Sequence, residues 1–569
     1  IGGGSNGYYY SPYEGSFVIP STIIYNENKY VVTSIGKNAF INCNITSIDI
    51  PKTIINIEEG AISSSKLQKV YINSRIVSES RSSKASLKQI FGNQVLEYII
   101  GNDIESIGNY AFAGCTGLTD IHIPQNVINI GKSAFSDCKS LTNVTIPNSV
   151  TIINDEIFYG CSGLTNVTIP NSVNTIGKSA FNGCSGLTSV TIPNSVTGIG
   201  EGAFRDCKGL ASVTIPESVT SIGAGAFFGC DSLKKVIAPN LTKWCDITFA
   251  DQWSNPLFYA HHLYSDENTE ITELTIPEDV SKIKAYAFVG MEIKNIVIPS
   301  TVTWIGETAF YNCDSLSLVT INSKEVMAQS RSITYSSWAG SVSRDDRLGS
   351  IFGNQVKKYV IGEGVTSIGE KAFEDCQMQE ISLPESLSEI KKGAFKYCAL
   401  KSIELPDMII WIGYSGWGNY SYSDFSSVFD DINVYVTRGS RTLLSVWEGG
   451  GVPFDKETRT RLYRPTLKLA EHTQTTITME IDNLYEEYGY KVYEDYNRTK
   501  TIPLTDNKAK ITNLFPQSSY SFYLSATLGY TTVKMGGSNL STANISPVVN
   551  ATPTATSLIF AEATLLGMQ

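Results

Sequence analysis

Few residues in this chain have the chemistry for catalysis or metal binding. The 569 residues include 11 cysteines and 4 histidines. Cys245, His261 and His262 lie in one aromatic segment, and a thiolate beside an imidazole is a possible nucleophile and base. Neighbouring histidines on a strand point to opposite faces and cannot share one ion, and no second ligand cluster has the spacing of a zinc site. We therefore expect no catalytic residue, no metal and no cofactor.

That aromatic segment, residues 239–270, interrupts an otherwise regular pattern. We interpret it as a packed loop whose aromatic side chains cover a lengthened coil. Trp253, Tyr259 and His262 are kept as candidate ligand contacts.

Most of the remaining cysteines follow a fixed spacing of 23 residues. The members of this series are Cys115, Cys138, Cys161, Cys184, Cys207 and Cys230. A fixed period of this length indicates a solenoid of stacked repeats. Equivalent residues in stacked coils point their Cβ atoms in parallel, which is poor geometry for a disulfide. We expect free, buried thiols that act as small hydrophobic side chains.

One repeat, residues 187–209, has the sequence LTSVTIPNSVTGIGEGAFRDCKG. Its alternating start predicts a strand, which the following proline ends because proline cannot donate to a ladder. In the second segment, Val196 to Gly200, we expect the glycine to supply a turn with positive φ. In the third, Ala203, Phe204 and Cys207 have the spacing of one helical turn. We predict a leucine-rich-repeat solenoid with a parallel β-sheet on its concave face, stabilised by stacking between neighbouring coils.

The exposed positions of the strands form a polar row. Asn143, Thr145, Asn166 and Thr168 belong to it. The row is a candidate recognition strip for carbohydrate or peptide, but we favour a solvated sheet face made of good strand formers. A tight protein interface normally contains aromatic or arginine anchors, and this row has none.

Aromatic residues are denser in a Gly/Ser-rich stretch further along the chain. These are Trp411, Tyr414, Trp417, Tyr420 and Tyr422. Exposed, they would stack on sugar rings or anchor a partner; otherwise they wrap the end of the solenoid core. The sequence does not decide between the two. Three inserts, residues 73–89, 239–270 and 322–350, also break the period, and inserts in solenoids map to loops on one face, often the binding face.

The repeat pattern L-T-x-V-x-I-P-x-S-V-T-x-I-G-x-x-A-F-x-x-C resembles the BspA-like leucine-rich repeats over roughly residues 16–460. Residues 433–454 resemble the closing strand, turn and helix of such arrays. The resemblance implies a cell-surface or secreted protein of anaerobic gut or oral bacteria, associated with adhesion to host or microbial proteins. It carries no catalytic residue over to this chain.

After residue 463 the period stops. We expect a solenoid with its cap over residues 1–463 and a β-sandwich over 464–549, with a further truncated β module beginning at 550–569. The stretch Leu514–Leu524 resembles the tyrosine corner of fibronectin type III domains, with Tyr520 as the corner residue and Ile481 in place of the usual tryptophan.

The net charge of −11 disfavours nucleic acid as a partner, and no run of 18 apolar residues indicates insertion into a membrane. Our main hypothesis is a monomeric, non-enzymatic protein that binds host extracellular or microbial surface proteins. The alternatives are a glycan-capture protein for polysaccharide uptake, a degradative enzyme using the 239–270 insert, and a structural spacer.

Overall fold

The computed structural model describes residues 13–40, 43–62, 66–335, 342–414, 425–448, 451–463, 465–472, 477–493, 500–512, 522–528 and 531–538. The chain divides into two compact units. Unit 1 comprises Ile1–Ile296, Trp304–Leu316 and Ile351–Gly353, and unit 2 comprises Val297–Thr303, Ser317–Ser350 and Asn354–Gln569. Both contain stacked coils, which confirms the predicted repeat solenoid.

The first strand of each coil joins a parallel sheet, called here the front sheet. In the coil that begins at Leu187, the strand Ser189–Thr191 buries Val190 and exposes the residues on either side. The strand ends before Pro193, as predicted. The front strands of unit 1 are Glu14–Val18, Asn44–Ile50, Lys69–Ile72, Glu97–Ile100, Asp120–His122, Asn143–Thr145, Asn166–Thr168, Ser189–Thr191, Ser212–Thr214, Lys235–Ile237, Leu263–Tyr264 and Leu274–Thr275.

A second row of short parallel strands, the second sheet, runs through the segment that was predicted to be a turn. Gly198–Ile199 pairs with Thr175–Ile176 on one side and with Ser221–Ile222 on the other. The strands of this row in unit 1 are Ser34–Ile35, Asn56–Ile57, Ser106–Ile107, Asn129–Ile130, Ile152–Ile153, Thr175–Ile176, Gly198–Ile199, Ser221–Ile222, Thr248–Phe249, Lys282–Ile283 and Trp304–Ile305.

A glycine follows most second strands of unit 1 because neighbouring coils approach closely there, and the predicted positive φ was wrong. Gly200 does not have a positive φ. A Cβ at Gly200 would lie 2.6 Å from the carbonyl carbon of Gly177 and 2.7 Å from the amide nitrogen of Lys178. The backbones of neighbouring coils therefore approach too closely for any side chain at this position.

The third segment of each coil, the turn segment, is not the predicted helical turn. Gly202 and Asp206 have φ values of +58° and +55°, in the left-handed region, so a right-handed helix cannot form. Alternate N–H groups point along the stack instead. Those of Gly202, Phe204 and Asp206 donate to carbonyls of the next coil, residues 224, 226 and 228, at 2.9, 2.8 and 2.7 Å.

Buried columns run between these backbone ladders, as predicted. Phe112, Phe135, Phe158, Phe181, Phe204 and Phe227 stack with ring centroids 5.3–5.5 Å apart. The recurring serine of the P-x-S-V motif also connects coils: the Oγ of Ser172 donates to the carbonyl of Val150 at 2.6 Å. This serine is therefore a structural residue.

The cysteines are free, as predicted, and all are buried except the half-buried Cys398. They do more than fill space, because the thiols of the column from Cys138 to Cys230 each bond to a neighbouring coil. Cys184 Sγ donates to the carbonyl of Phe158 at 3.2 Å, and Cys207 Sγ makes the same bond to Phe181. Burial raises the pKa of the thiols of Cys161 and Cys230 to about 12.

The inserts of unit 1 fold into short helices. Residues 73–89 contribute the 3₁₀ helix Arg75–Val77 and lead into the α-helix Lys88–Phe91. Residues 239–270 contribute Leu241–Cys245, the 3₁₀ helix Gln252–Ser254, and Leu257–Ala260. An apolar hairpin, Thr22–Tyr25 with Asn28–Val31, lies near the start of this unit.

Unit 2 continues the repeat. Its front strands are Leu318–Ile321, Lys358–Ile361, Glu380–Ser382, Ser402–Glu404, Asn433–Val436 and Phe454–Asp455, and its second strands are Ser367–Ile368, Glu389–Lys391 and Trp411–Tyr414. Asn295–Ile298 spans the division between the units. The 322–350 insert contains the helix Lys324–Ala328 and the hairpin Ile333–Tyr335 with Val342–Asp345, and the helix Leu348–Phe352 follows. Buried Arg331 donates to the carbonyls of Asp346 and Val326 at 2.6 and 2.7 Å, which connects the two ends of this insert. Its backbone N–H donates to the carbonyl of Glu370 at 2.9 Å and ties the insert to the next coil.

The end of the solenoid in unit 2 has a strand, a turn and a helix, Arg441–Glu448. Trp447 on this helix is fully buried, with its ring 5.0 Å from Tyr485 and 5.7 Å from Tyr488. The hydroxyl of Tyr488 donates to the carbonyl of Ser440 at 2.8 Å. Residues after the cap therefore cover its apolar side chains.

Those residues belong to two antiparallel four-stranded sheets, consistent with the predicted sandwich. The first contains Thr466–His472, Ile477–Asp482, Leu504–Thr505 and Lys508–Ile511, and the second contains Gly489–Tyr493, Thr501–Ile502, Phe522–Leu528 and Thr531–Ser538. Tyr520 and residues 550–569 lie outside the described residues. The likeness to fibronectin type III and the domain boundaries stay predictions.

The close approach at Gly200 predicts the stability of two alanine variants. Gly200→Ala should lower the free energy of unfolding by about 1–3 kcal/mol, because the new Cβ overlaps the neighbouring backbone. Gly198→Ala, two residues away, should be neutral or slightly stabilising, because its Cβ would come no closer than 3.6 Å to Ser221 Oγ. Thermal and urea unfolding of both variants measure this difference. Equal stability of the two would contradict the steric explanation.

The buried thiols predict a loss of stability in alkali. Their ordinary pKa of 9.0 applies to the unfolded chain, whereas Cys161, Cys230 and Cys245 have pKa values of about 12 when folded. Between these values the folded state binds more protons, so the thiols stabilise it fully below pH 9 and progressively less as the pH rises towards 12. The unfolding midpoint, measured with reductant present, should fall over this range. Alanine replacements at the three cysteines should make the fall shallower, and an unchanged slope would contradict this assignment.

Candidate functional site

The Cys–His pair considered as a nucleophile is not formed. Cys245 ends the helix Leu241–Cys245 and is fully buried, and burial raises the pKa of its thiol to about 12. His261 directs Nδ1 at the carbonyl of Gly290, at 2.7 Å. A thiol held protonated in the core and an imidazole bonded to a backbone carbonyl do not make a reactive pair.

The rest of the 239–270 insert packs as a loop over a lengthened coil. The indole N–H of Trp244 donates to the carbonyl of Ala287 at 2.7 Å, and Asn255 Nδ2 donates to the same oxygen at 3.0 Å. These two buried side chains connect the insert to the next coil. Their role is structural.

Trp253 and Tyr259 contact the turn segment of the preceding coil. The ring of Trp253 is edge-on to Phe228 at 5.8 Å and remains 38% exposed. The hydroxyl of Tyr259 accepts a bond from the N–H of Gly229 at 3.0 Å, and burial raises its pKa. His262 does not join Trp253 and Tyr259, because it directly precedes the front strand Leu263–Tyr264.

His262 belongs to a polar group that sequence reasoning missed, called here the Tyr264 cluster: Lys235, His262, Tyr264, Glu267 and Glu270. Nδ1 of His262 is 2.7 Å from Glu270 Oε1. Nζ of Lys235 lies 4.7 Å from the centroid of the Tyr264 ring and 3.2 Å from Glu267 Oε2. Residues 264–270 turn back on themselves, with a bridge between Tyr264 and Glu270. No sequence pattern predicted this reversal of the chain at residues 264–270.

The polar row on the front sheet is present, and its members are in register. Asn143 is opposite Asn166, and Thr145 is opposite Thr168. These side chains are exposed, whereas Val144 and Val167 between them are buried. We call the row Asn143, Thr145, Asn166, Thr168, Ser189, Thr191, Ser212 and Thr214 the front strip. The register continues from Ser212–Thr214 to Lys235–Ile237 and on to Leu263–Tyr264, so the strip ends at the Tyr264 cluster.

Part of the aromatic stretch at 411–425 is described by the structure. Trp411 lies in a second strand of unit 2, is opposite Glu389, and is 44% exposed. Tyr414 ends the same strand. Phe425 packs 5.0 Å from Phe429, in the core column. Trp417, Tyr420 and Tyr422 lie outside the described residues, so the choice between an aromatic surface and a wrapped core stays open for them.

Within the described part of the chain, no group of three or more His, Cys, Asp or Glu residues could hold a metal ion. Among the same residues, no helix is long and apolar enough to span a membrane.

Comparison with solved structures finds bacterial repeat proteins. A leucine-rich repeat protein from Bacteroides ovatus is 23% identical, with 74% of this chain and 92% of that chain covered and a TM-score of 0.37. A leucine-rich cell-surface protein from Faecalibacterium prausnitzii is 26% identical, with coverages of 72% and 90% and a TM-score of 0.27. A leucine-rich repeat protein of T. pallidum is 31% identical over 27% of this chain and 73% of that chain, with a TM-score of 0.25.

No curated protein matches the chain significantly. The family model described as BspA type leucine-rich repeat region (6 copies) matches residues 15–99, 87–210, 128–254, 263–341 and 350–440. These residues are well over half of the chain, and they contain the columns and ladders described above. The protein belongs to the BspA-type leucine-rich repeat family.

Proposed function

We propose that this protein is a non-enzymatic adhesion protein of the cell surface, or a secreted one, that binds proteins on host or microbial surfaces. The proposal follows from the family and from one structural observation: the front strip of unit 1 is an exposed, in-register row that ends at an aromatic and charged cluster. The F. prausnitzii protein described as a cell-surface protein supports the location.

The front strip supplies length and hydrogen-bonding groups. Each of its strands places two polar side chains beside a buried valine, and these side chains are exposed except at Ser212 and Thr214, which are half-buried. The in-register pairing repeats this arrangement from coil to coil. Hydroxyl and amide groups on such a row can accept and donate bonds to a partner while the core below them stays unchanged. Substitutions on this face therefore alter recognition with little effect on folding.

The Tyr264 cluster supplies the anchor that the strip itself lacks. Tyrosine is enriched among the residues that dominate binding energy at protein interfaces. The ring of Tyr264 is half-buried, and it is held between Lys235 and the carboxylate of Glu270, whose Oε2 accepts from the tyrosine hydroxyl at 3.3 Å. A side chain fixed in this way loses little conformational entropy when a partner binds.

The chemistry of the coils favours binding over catalysis. The thiols of Cys184 and Cys207 are buried and donate to backbone carbonyls of neighbouring coils, and the recurring serines do the same. The groups that could act as nucleophiles in the repeat are used to hold the coils together.

Paired lysine substitutions test the location of the adhesion surface. Thr145→Lys with Thr168→Lys adds two long cations to the front strip and should weaken binding at least tenfold, because they obstruct the row. Thr175→Lys with Ser221→Lys makes the matched change at exposed positions of the second sheet and should leave binding unchanged. Binding is measured by biolayer interferometry on immobilised extracellular-matrix proteins and by sedimentation with whole bacterial cells, and circular dichroism checks folding.

Two results would overturn the proposal. The first is the absence of saturable binding to every matrix protein and microbial cell tested. The second is equal binding by the two double variants, which would move the surface away from the front strip.

A further inference from the structure

The second sheet of unit 1 is interrupted beside the 239–270 insert. Five strands, from Ile152–Ile153 to Thr248–Phe249, form one continuous sheet. The next two, Lys282–Ile283 and Trp304–Ile305, form a separate pair. The interruption therefore lies between Phe249 and Lys282.

At this interruption the backbone hydrogen bonds between neighbouring coils are shifted. In a regular coil, the N–H of Gly223 donates to the carbonyl of Ile199 on the preceding second strand, at 2.8 Å. The equivalent N–H here belongs to Lys284 and donates to the carbonyl of Cys245 instead, at 3.0 Å. Lys284 therefore bonds to the insert and not to the preceding second strand, and it occupies the position that Gly223 has in the regular coil.

The interruption opens a groove of about 640 Å³ lined by Thr248, Phe249, Lys282, Lys284, Ala285 and Trp304. Phe249 is only 5% exposed, whereas the indole of Trp304 is 37% exposed. Nζ of Lys284 already has partners in the groove wall: it pairs with Asp246 Oδ1 at 3.0 Å and donates to Thr248 Oγ1 at 3.1 Å.

The groove also presents an uncompensated cation. Lys282 is directly opposite Trp304 in the strand register. Within the described part of the chain, Lys282 forms no ion pair. A free ammonium beside an exposed indole, on a protein with a net charge of −11, attracts an anion that also has an apolar face.

We propose that this groove binds an acidic carbohydrate, with a pyranose ring stacked on Trp304 and its carboxylate bound by Lys282. The volume falls in the range of small-ligand sites. A stable protein interface needs a larger surface with several anchors, and the groove offers one. The site goes beyond the protein-binding function proposed above, and neither depends on the other.

Unit 2 contains a matched site with the opposite charge. Trp411 occupies the same register position of the second sheet as Trp304 and has a similar exposure, but its opposite residue is Glu389. A carboxylate beside the indole repels an acidic sugar. The pair Trp411 and Glu389 therefore serves as an internal control.

Isothermal titration with the full chain tests the proposal. The acidic probes are tetragalacturonate and sialyllactose, which represent two sources of carboxylate-bearing sugars, and their neutral counterparts are methyl-esterified tetragalacturonate and lactose. At least one acidic probe should bind, and its neutral counterpart should bind at least tenfold more weakly. Trp304→Ala and Lys282→Glu should each weaken binding at least tenfold, and Trp411→Ala should leave it unchanged.

Lys282 is exposed, so Lys282→Glu keeps the test valid even if Trp304→Ala disturbs folding. A tetraglutamate peptide is titrated in parallel. The proposal is overturned if neither acidic probe binds saturably, if neutral and acidic sugars bind alike, or if Lys282→Glu has no effect. Binding of tetraglutamate as tight as that of the sugars, and insensitive to Trp304→Ala, would replace it with an acidic-peptide site.

Discussion

Backbone hydrogen bonds between neighbouring coils are the interaction on which this structure depends. They run through three segments of each coil: the front strand, the two-residue second strand, and the turn segment. The third set is unusual because it is made without a strand or a helix. Every second N–H of this segment points to the next coil, in a backbone that has left-handed residues such as Gly202 and Asp206 at four-residue spacing. The serine and cysteine side chains of the repeat add further bonds in the same direction.

This constraint explains which features the sequence could predict. A residue type that recurs every 23 positions must stack on itself, so the columns of phenylalanine and cysteine followed directly from the period. The alternation around Val190 likewise predicted the front strand and its exposed row. Local rules failed where a neighbouring coil decides the geometry. Gly200 was predicted to be a turn residue, but glycine is needed there because the backbone of Gly177, on the preceding coil, leaves no room for a Cβ. No pattern local to Gly200 shows this contact.

The candidate sites were harder to predict for a related reason. The Tyr264 cluster depends on residues 264–270 folding back towards Lys235, and no local sequence pattern predicts this reversal of the chain. The groove beside Trp304 lies where the second sheet is interrupted. Lys284 stands there in place of the repeated glycine, but Asn154 and Ala250 also replace that glycine in other coils, so the substitution alone did not predict a groove. The density of aromatic residues was the only sequence evidence for a site at 411–425. In the structure Trp411 is exposed, whereas Phe425 packs against Phe429 in the core column.

The same constraint separates the residues that hold the coils together from the residues that face solvent. Groups that can react or donate strongly are turned inward or used between coils, and exposed positions on the two sheets are free to vary. Recognition can therefore change without cost to the core. Beside the 239–270 insert the second sheet is interrupted, and a concave site lies there.

Residue-resolved hydrogen exchange tests the central claim about the three ladders most directly. The amides of Gly202, Phe204 and Asp206 should exchange as slowly as those of the front strand Ser189–Thr191, because both sets are bonded to a neighbouring coil. The amides of Asp266 and Glu267, in the exposed return, should exchange much faster and serve as the reference. If the turn-segment amides exchange as fast as that return, the third ladder does not hold the coils together and the account is wrong.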